Sequence, residues 1–465
     1  MVVRARRVLV RAVVGLLFAV PGGALAAEPS RAVTFAKDVA PIFQAKCQSC
    51  HEPGSIAPIS LITYQDARPW AKSIKARVAA RQMPPWHIDP AVGVQKFKND
   101  MSLSDAQIKT IVDWVDQGAL MGNPADLPAP RPVVTTMYWQ AERDGYGPPD
   151  LVVASPEYTM PAVSQDQWWH PVVDIPGLTE PRWVRMVEIR PTNLKGRKIL
   201  HHSIATVVMD PNDVDTDAVN RGISSGRPDA RDRANDPANE NLRPTLMEWA
   251  IGKGYDRYAD GTGKLLKPGQ RIAWNQHIHA VGEEVTAGSE LGIWLYPKGQ
   301  EPKHRTYLVA FTGLKNGQAG LDIPPNSIAH TEGFTVLKEN TVITNFQPHF
   351  HLRGKAMQVE AILPDGSTQI ISYVDNFNFN WMTNYIFDEN AAPAFPKVTV
   401  IHVTAFYDNT KANKNNPNPD QWVGWGDRTV DEMAHAWMNI YYLSDDEYQA
   451  WLTAHKKPAS TQNQQ

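Results

Sequence analysis

The residues able to do chemistry in this chain are few and grouped. Its only two cysteines among 465 residues, Cys47 and Cys50, stand in KCQSCH (46–51), and His51 follows the second directly. Two thiols one helical turn apart, with an imidazole next in line, are what covalent c-type haem attachment needs. The sulfurs add to the haem vinyl groups and His51 ligates the iron from the proximal side. One covalent haem c is therefore expected, with a zinc or redox Cys-x-x-Cys as the competing reading of the same spacing. For the distal ligand the favoured residue is Met83, on the proline-stiffened loop RQMPPWH (81–87). His87, four positions on, competes, and bis-histidine ligation would lower the potential.

The second group is built on histidine, in HHS (201–203), HIH (277–279) and HFH (349–351), with a methionine in DEM (431–433). Strand residues i and i+2 share a face, so His349 and His351 can converge on one metal. His201 and His202 are adjacent and can do so only where the backbone is bent or bulged. A single histidine in a β-core is most often a satisfied core residue, whereas three two-histidine clusters point to metal. With both cysteines committed to haem, blue copper is excluded, because it needs a thiolate. Imidazoles with a thioether suit copper that cycles between Cu(I) and Cu(II). Three-histidine zinc is the alternative, but zinc has no use for the electron a tethered haem carries, which favours copper.

These residues need elements to hold them. Residues 34–122 carry helical periodicity, clearest in SDAQIKTIVDWVDQG (104–118). There Ser104 and Gln107 form a capping box, Ile108, Ile111, Val112 and Val115 make the buried stripe, and Gly118 ends the helix. A small all-α cytochrome c domain is expected at 30–122, then a semi-rigid proline-rich linker at 123–149. Short β-rich runs follow, such as RWVRMVEI, ELGIWLY, MQVEAIL and KVTVIHVTAFY, separated by Gly, Pro, Asn and Asp clusters. They imply antiparallel sandwiches or barrels. A β region of this length should divide in two, near LYPKGQEPKHRT (295–306), giving all-β sandwiches at 150–300 and 301–446 and a C-terminal tail at 447–465. Residues 210–245, rich in Asp, Asn, Arg and Pro, read as an excursion from the first sandwich.

The composition, 42% hydrophobic and 20% charged, is that of a folded globular protein. Arg4, Arg6, Arg7 and Arg11, an apolar run from Ala12 to Val20 and Ala24-Leu25-Ala26 read as a secretory leader, 1–26, cut after Ala26. Its removal takes the formal charge from −3 to −7, which argues against a nucleic-acid surface or a polybasic membrane patch. No later segment is apolar enough for a transmembrane span, so a periplasmic or secreted location is expected. With no spare cysteine pair, the cores must stabilise the fold without disulfides.

PHFHLRGKAM (348–357) and WGDRTVDEMAHAW (425–437), and more weakly the HH and HIHAVGEE segments, resemble the copper type II ascorbate-dependent monooxygenases. That family includes peptidylglycine α-hydroxylating and dopamine β-monooxygenases, and the chain looks most like bacterial members with a fused c-type cytochrome. The resemblance covers about residues 150–445. It implies two jelly-roll-like sandwiches, each presenting one copper to a solvent-filled cleft. His201, His202 and His279 would hold an electron-transfer copper, and His349, His351 and Met433 an oxygen-activating one. The implied activity is O2-dependent hydroxylation of an aliphatic C–H bond in a small organic substrate. An external donor would feed electrons through the haem. His277 and His435 are further candidates as ligands or pocket residues. The arginine and tyrosine with which the peptide-amidating member grips its substrate carboxylate are replaced by Gln347 and Trp437. Peptidylglycine is therefore not the expected substrate. A periplasmic electron carrier or copper-binding module without oxygenase activity is the rival reading.

Overall fold

The computed structural model of this chain describes residues 31–53, 57–130, 137–208, 245–314 and 321–455. The expected leader and nearly all of the expected excursion at 210–245 lie outside them. The apolar runs after residue 150 are strands, and their alternation places two faces inside. In Val400–Asp408 every second residue, Ile401, Val403, Ala405 and Tyr407, is buried. In the first half, one sheet contains Leu151–Ala154, Ser289–Leu295, Arg182–Pro191 and Thr262–Leu266 in that order. It faces a sheet of Gln167–Trp169, Arg271–Ile278, Leu200–Val208 and Thr245–Ala250. Val184, Val187 and Ile189 from one and Ala205, Val207, Ile272 and Trp274 from the other share one core.

The second half repeats the plan. Ile328–Val336, Val400–Asp408, Gly354–Ile362 and Thr368–Val374 form a four-stranded sheet. Its Met357, Val359 and Ile401 pack against Phe311, Val342 and Ile440 of the opposite layer. Both halves are thus β-sandwich layers with their own cores. They are not separate beads, because His304–Thr312 pairs in parallel with Thr262–Leu266 and in antiparallel with His435–Leu443, so one sheet runs through both. The expected joint at 295–306 falls where the chain crosses between them.

Ahead of the sheets stand the helices Ala40–Lys46, Tyr64–Ala67, Ala71–Ala79 and Asp105–Asp116, around Phe35, Phe43, Ile111 and Trp114. The Ser104–Gln107 capping box is formed, and Gly118 adopts φ 97° beyond the helix end. Trp114 occupies the core position expected of Val112, which is only half-buried. Three of these helices are shorter than ten residues, so a cytochrome c fold for 30–122 is not plain from the elements themselves.

Residues 86–99, between the last two of those helices, leave the helical unit and lace onto the second half. Asp89 and Val94 N–H groups donate to the carbonyls of Tyr373 and Ile371, and Lys98 N–H to that of Ile386. Trp86 stands edge-on to Tyr385 at 4.8 Å. Gly93 is required here, since it has φ 72° and a Cβ would meet the Ile371 carbonyl oxygen at 2.3 Å. This strap covers the Thr368–Val374 edge of the four-stranded sheet. The expected tail at 447–465 is corrected in part: Asp445–Ala454 is a helix, capped by Ser444 and Glu447 and seated through Tyr448, while 456–465 lie outside the described residues.

The expected linker joins the first half through a buried carboxylate. Glu188 accepts hydrogen bonds from the Gln140 and Ala141 N–H groups at 2.7 and 3.0 Å. Burial pushes its carboxyl up from 4.5 to about 7 despite those bonds. Between those values the folded chain holds a proton the unfolded chain has lost, so this group's contribution is full below pH 4.5 and falls as pH rises to 7. Glu188→Gln should therefore flatten the decline of thermal stability across that window, an effect on the order of 3 kcal/mol. An unchanged decline in the variant would show that Glu188 does not carry it.

Candidate metal centre

The histidine clusters meet at the seam between the two halves. In the first half, His202 on Leu200–Val208 lies directly opposite His277 on Arg271–Ile278. The register then shifts, Ile278 pairing with Leu200, so His201 is the extra residue of a β-bulge. The bulge answers how two adjacent histidines can serve one point, because it turns His201 to the face that His202 shares with His277. One nitrogen from each of His201, His202 and His277 lies within 4.8 Å of the others. His279, one residue past the strand end, has its ring 6.1 Å from that of His201 and is less buried. The geometric triad is therefore His201, His202 and His277, whereas the family resemblance implied His279 as the third member.

In the second half, His349 ends the strand Asn345–His349 and stands directly opposite His435, the first residue of His435–Leu443. Their rings stack at 6.1 Å, and His351 lies 5.7 Å from His349. Met433 is buried in the loop before His435, and its carbonyl accepts the Tyr407 hydroxyl hydrogen at 3.2 Å. The loop is fixed by a carboxylate that sequence reading quoted in DEM but gave no role. Glu432 accepts from the backbone N–H groups of His351 and Arg353. Arg353, fully buried, donates to Asn409 Oδ1 and the Val430 carbonyl, each at 2.9 Å. Sequence segments 348–357 and 425–437 are thus two sides of one knot.

His201, His202, His277, His349, His351 and His435 are 1–8% exposed, so they do not face an open solvent-filled cleft, and His279 is half-buried. Burial holds His351 and His435 down at about 4 and drives His201, His202 and His349 well below the usual imidazole value. They stand neutral at physiological pH, the form in which imidazole binds metal. Both nitrogens of His201, Nδ1 of His202, His277 and His349, and Nε2 of His435 are buried without a hydrogen-bond partner. Buried imidazole nitrogens without partners, gathered in one region, form a donor set that could bind a metal ion. His277 Nε2 bonds Asp166 at 2.9 Å, which holds that carboxyl down at about 2, and Nδ1 is left without a hydrogen-bond partner. This is the outer carboxylate that orients many metal-binding histidines.

Other sequence candidates separate. Phe379 stacks on His201 at 4.3 Å, while Gln347 and Trp437, opposite one another in register, are buried. Gln347 donates to Glu248 Oε2 at 2.7 Å. Glu248, missed in sequence reading, brings Oε1 to 3.9 Å from His349 Nδ1. Its only sequence signal was an acid inside the apolar run TLMEWA (245–250).

Cys47, Cys50 and His51 sit on one turn continuing Ala40–Lys46, with the Cys50 and His51 N–H groups donating to the Cys47 carbonyl. Both thiols are free, and burial pushes Cys47 up to about 12 and Cys50 upward. A redox Cys-x-x-Cys instead stabilises a thiolate. His51 Nδ1 bonds the Ile59 carbonyl at 3.0 Å; with the proton on Nδ1, Nε2 is left as the ligand atom. These features fit a covalently held haem. Met83 is 42% exposed, whereas His87 is buried at the strap, its N–H donating to the Tyr385 hydroxyl and its ring nitrogens unpartnered. Glu52 ties the motif forward, accepting from Arg143 at 2.8 Å and Tyr138 at 2.9 Å.

No family model matches the chain, and no curated protein does. Among solved structures, an α-L-fucosidase candidate from Bacteroides ovatus is 8% identical at a TM-score of 0.14, covering 68% of this chain and 41% of that one. The infectious bursal disease virus VP2 subviral particle is 11% identical at 0.17, covering 64% and 74%. PNGF-II is 11% identical at 0.20, covering 63% and 60%. Superpositions this slight carry no argument about fold or function. No helix among the described residues is long and apolar enough to cross a membrane.

Proposed function

We propose that this chain is an exported copper-dependent monooxygenase that hydroxylates an aliphatic C–H bond of a small organic substrate. A haem c on Cys47, Cys50 and His51 would pass it electrons from an external donor. The observation that carries the proposal is the seam of six buried histidines, five of them with orphaned nitrogens, in a chain that also bears a Cys-x-x-Cys-His motif. When bound, copper would supply one-electron chemistry toward O2 and the haem single-electron delivery.

The chain's own residues do the rest. His201, His202 and His277 would hold one copper, with His279 in reserve beside them. His349, His351 and Met433 would hold the other, and His435 is placed to join them. Asp166 fixes the His277 ring, and Glu432 fixes the loop that presents Met433. Phe379 and Trp437 present apolar surface beside the histidines and exclude water from the seam. The two β-sandwich layers correspond in this reading to the jelly-roll-like pair of the resembled family, and the N-terminal helices to its fused cytochrome.

The near-complete burial of the rings favours, as second reading, a periplasmic electron-transfer or copper-binding protein. Copper content of the reconstituted, haem-loaded protein, measured with oxygen uptake on candidate substrates, separates the two. The proposal expects two coppers per haem, falling to one in His349→Ala/His351→Ala, and substrate-dependent oxygen uptake that the variant loses. Two coppers without uptake on any substrate would favour the carrier, and zinc throughout would remove both.

A further inference from the structure

We propose that the first half carries a pocket for the oxyanion of a small organic molecule, a carboxylate or a phosphate ester, gripped by Arg185 and Arg182. The pocket is a cavity of about 650 Å3 whose lining includes Arg182, Arg185, Arg257, Tyr146 and Tyr296. It shares no lining residue with the histidine sets, and its chemistry requires no metal.

Arg185 reaches the cavity through a break in the sheet. In Arg182–Pro191, residues 182–184 pair with Thr262–Leu266 and 186–188 with Tyr255–Arg257, so the partner strand changes at Arg185. On the other side the register slips, Leu295 pairing with Val184 and Trp294 with Met186, which makes Arg185 the extra residue of a β-bulge. The period set by Val187 and Ile189 would bury Arg185 in the core; the bulge hands that inward place to Val184 instead.

The charge there is unbalanced. Arg185 Nε donates to the Leu295 carbonyl at 3.1 Å, and among the described residues its guanidinium has no ion-pair partner. Arg182 donates to the Tyr296 carbonyl at 3.0 Å and stands 4.0 Å from Glu180, whose Oε1 is already taken by Lys298 at 2.6 Å. Both acids of the lining are engaged: Asp260 pairs with Arg257 at 2.6 Å, and Asp150 accepts the Leu295 N–H at 2.7 Å. Three guanidinium groups thus stand against two occupied carboxylates, a local positive surplus in a chain of net charge −3. A guanidinium anchored through Nε keeps both terminal nitrogens for a second partner, and that fork matches the edge of a carboxylate or phosphate. The body of the ligand has held aromatic surface beside it. Tyr296 is fixed by its hydroxyl on the Thr262 carbonyl at 2.7 Å, and Tyr146 stands edge-on to Tyr255 at 5.7 Å. Two fixed rings in one cavity suit a flat apolar body behind the oxyanion.

The test is isothermal titration of the full-length protein at low ionic strength with benzoate, phenyl phosphate and inorganic phosphate, and with benzamide as the neutral counterpart of benzoate. Benzoate or phenyl phosphate is expected to bind with a Kd on the order of 1 mM or below, and benzamide at least about tenfold more weakly than benzoate. Binding of benzoate alone assigns the pocket to carboxylates, and of phenyl phosphate alone to phosphate esters. Arg185→Gln should weaken the bound probe by roughly tenfold or more, and Arg182→Gln by less. Arg190→Gln, which removes a cation from the same strand at its pair with Glu290, should leave binding unchanged. No saturable binding of any probe, benzamide matching benzoate, inorganic phosphate matching phenyl phosphate, or affinity unchanged in Arg185→Gln would each overturn the pocket. The comparisons among probes are made on wild type and do not depend on a variant that folds.

Discussion

Replacing Cys47 and Cys50 together by serine is expected to abolish covalently bound haem while leaving copper binding at the seam intact. The thiols are the only two in the chain, so no other sulfur can substitute for the lost thioethers. On a denaturing gel stained for haem peroxidase activity, wild type should give a band at the mass of the chain and the double variant none. Each single variant should retain a weaker band, because one thioether still tethers the group. The histidine sets belong to the sheets and share no residue with the motif, so on the proposed function metal content per chain should stay at two. A haem band surviving in the double variant would remove the c-type assignment.

Arg353→Met is expected to cost about 3 kcal/mol of stability, because it removes three hydrogen bonds donated by a buried charged group, at roughly 1 kcal/mol or more each. The guanidinium is fully buried, and three acceptors depend on it: Asn409 Oδ1 and the carbonyls of Val430 and Asn418. Methionine fills similar volume and supplies none of those donors, so the Val430 and Asn418 carbonyls lose their guanidinium partner and Asn409 Oδ1 keeps only the Asn416 amide. It also leaves the Glu432 carboxylate, which burial raises to about 7, without its neighbouring cation. Arg353→Lys keeps the charge but not the planar fork, so it should recover only part of the loss. Denaturant unfolding gives the stability. A second readout follows from position: the loosened 425–433 loop carries Met433, so copper at the second set should dissociate faster than at the first. An Arg353→Met variant as stable as wild type would remove this residue from the account of the site.

Local patterns survived the passage from sequence to structure, and registers did not announce themselves. The Ser104–Gln107 cap, the strand alternation and the need for a bulge at His201 and His202 are all short-range, decided within a few residues of the chain. The choice of His277 over His279 as nearest partner depends on which residue of Arg271–Ile278 lies opposite His202, a pairing across some seventy-five positions. His435 joins His349 for the same reason. Asp166 and Glu248 were invisible because their partners, Thr429 and Gln347, come from the other half of the chain. The parallel pair that carries one sheet through both halves is likewise a long-range event. The Asp445–Ala454 helix is a different case: Ser444 and Glu447 spell a capping box that is legible within four residues of sequence.

The strap at 86–99 bears on how the molecule is made. It bonds to residues far ahead of it in the chain, His87 to Tyr385 across 298 positions. In a polypeptide delivered N-terminus first, Cys47, Cys50 and His51 emerge early, while the strap waits without a partner until nearly the whole second half has arrived. On the proposed function, the cysteines would therefore be accessible for haem attachment before the helical unit is laced down. The same lacing makes that unit a poor cassette for transplantation. A chain begun after residue 122 would lose the strap and uncover Tyr385, Phe387 and the edge of Thr368–Val374, an apolar margin prone to self-association.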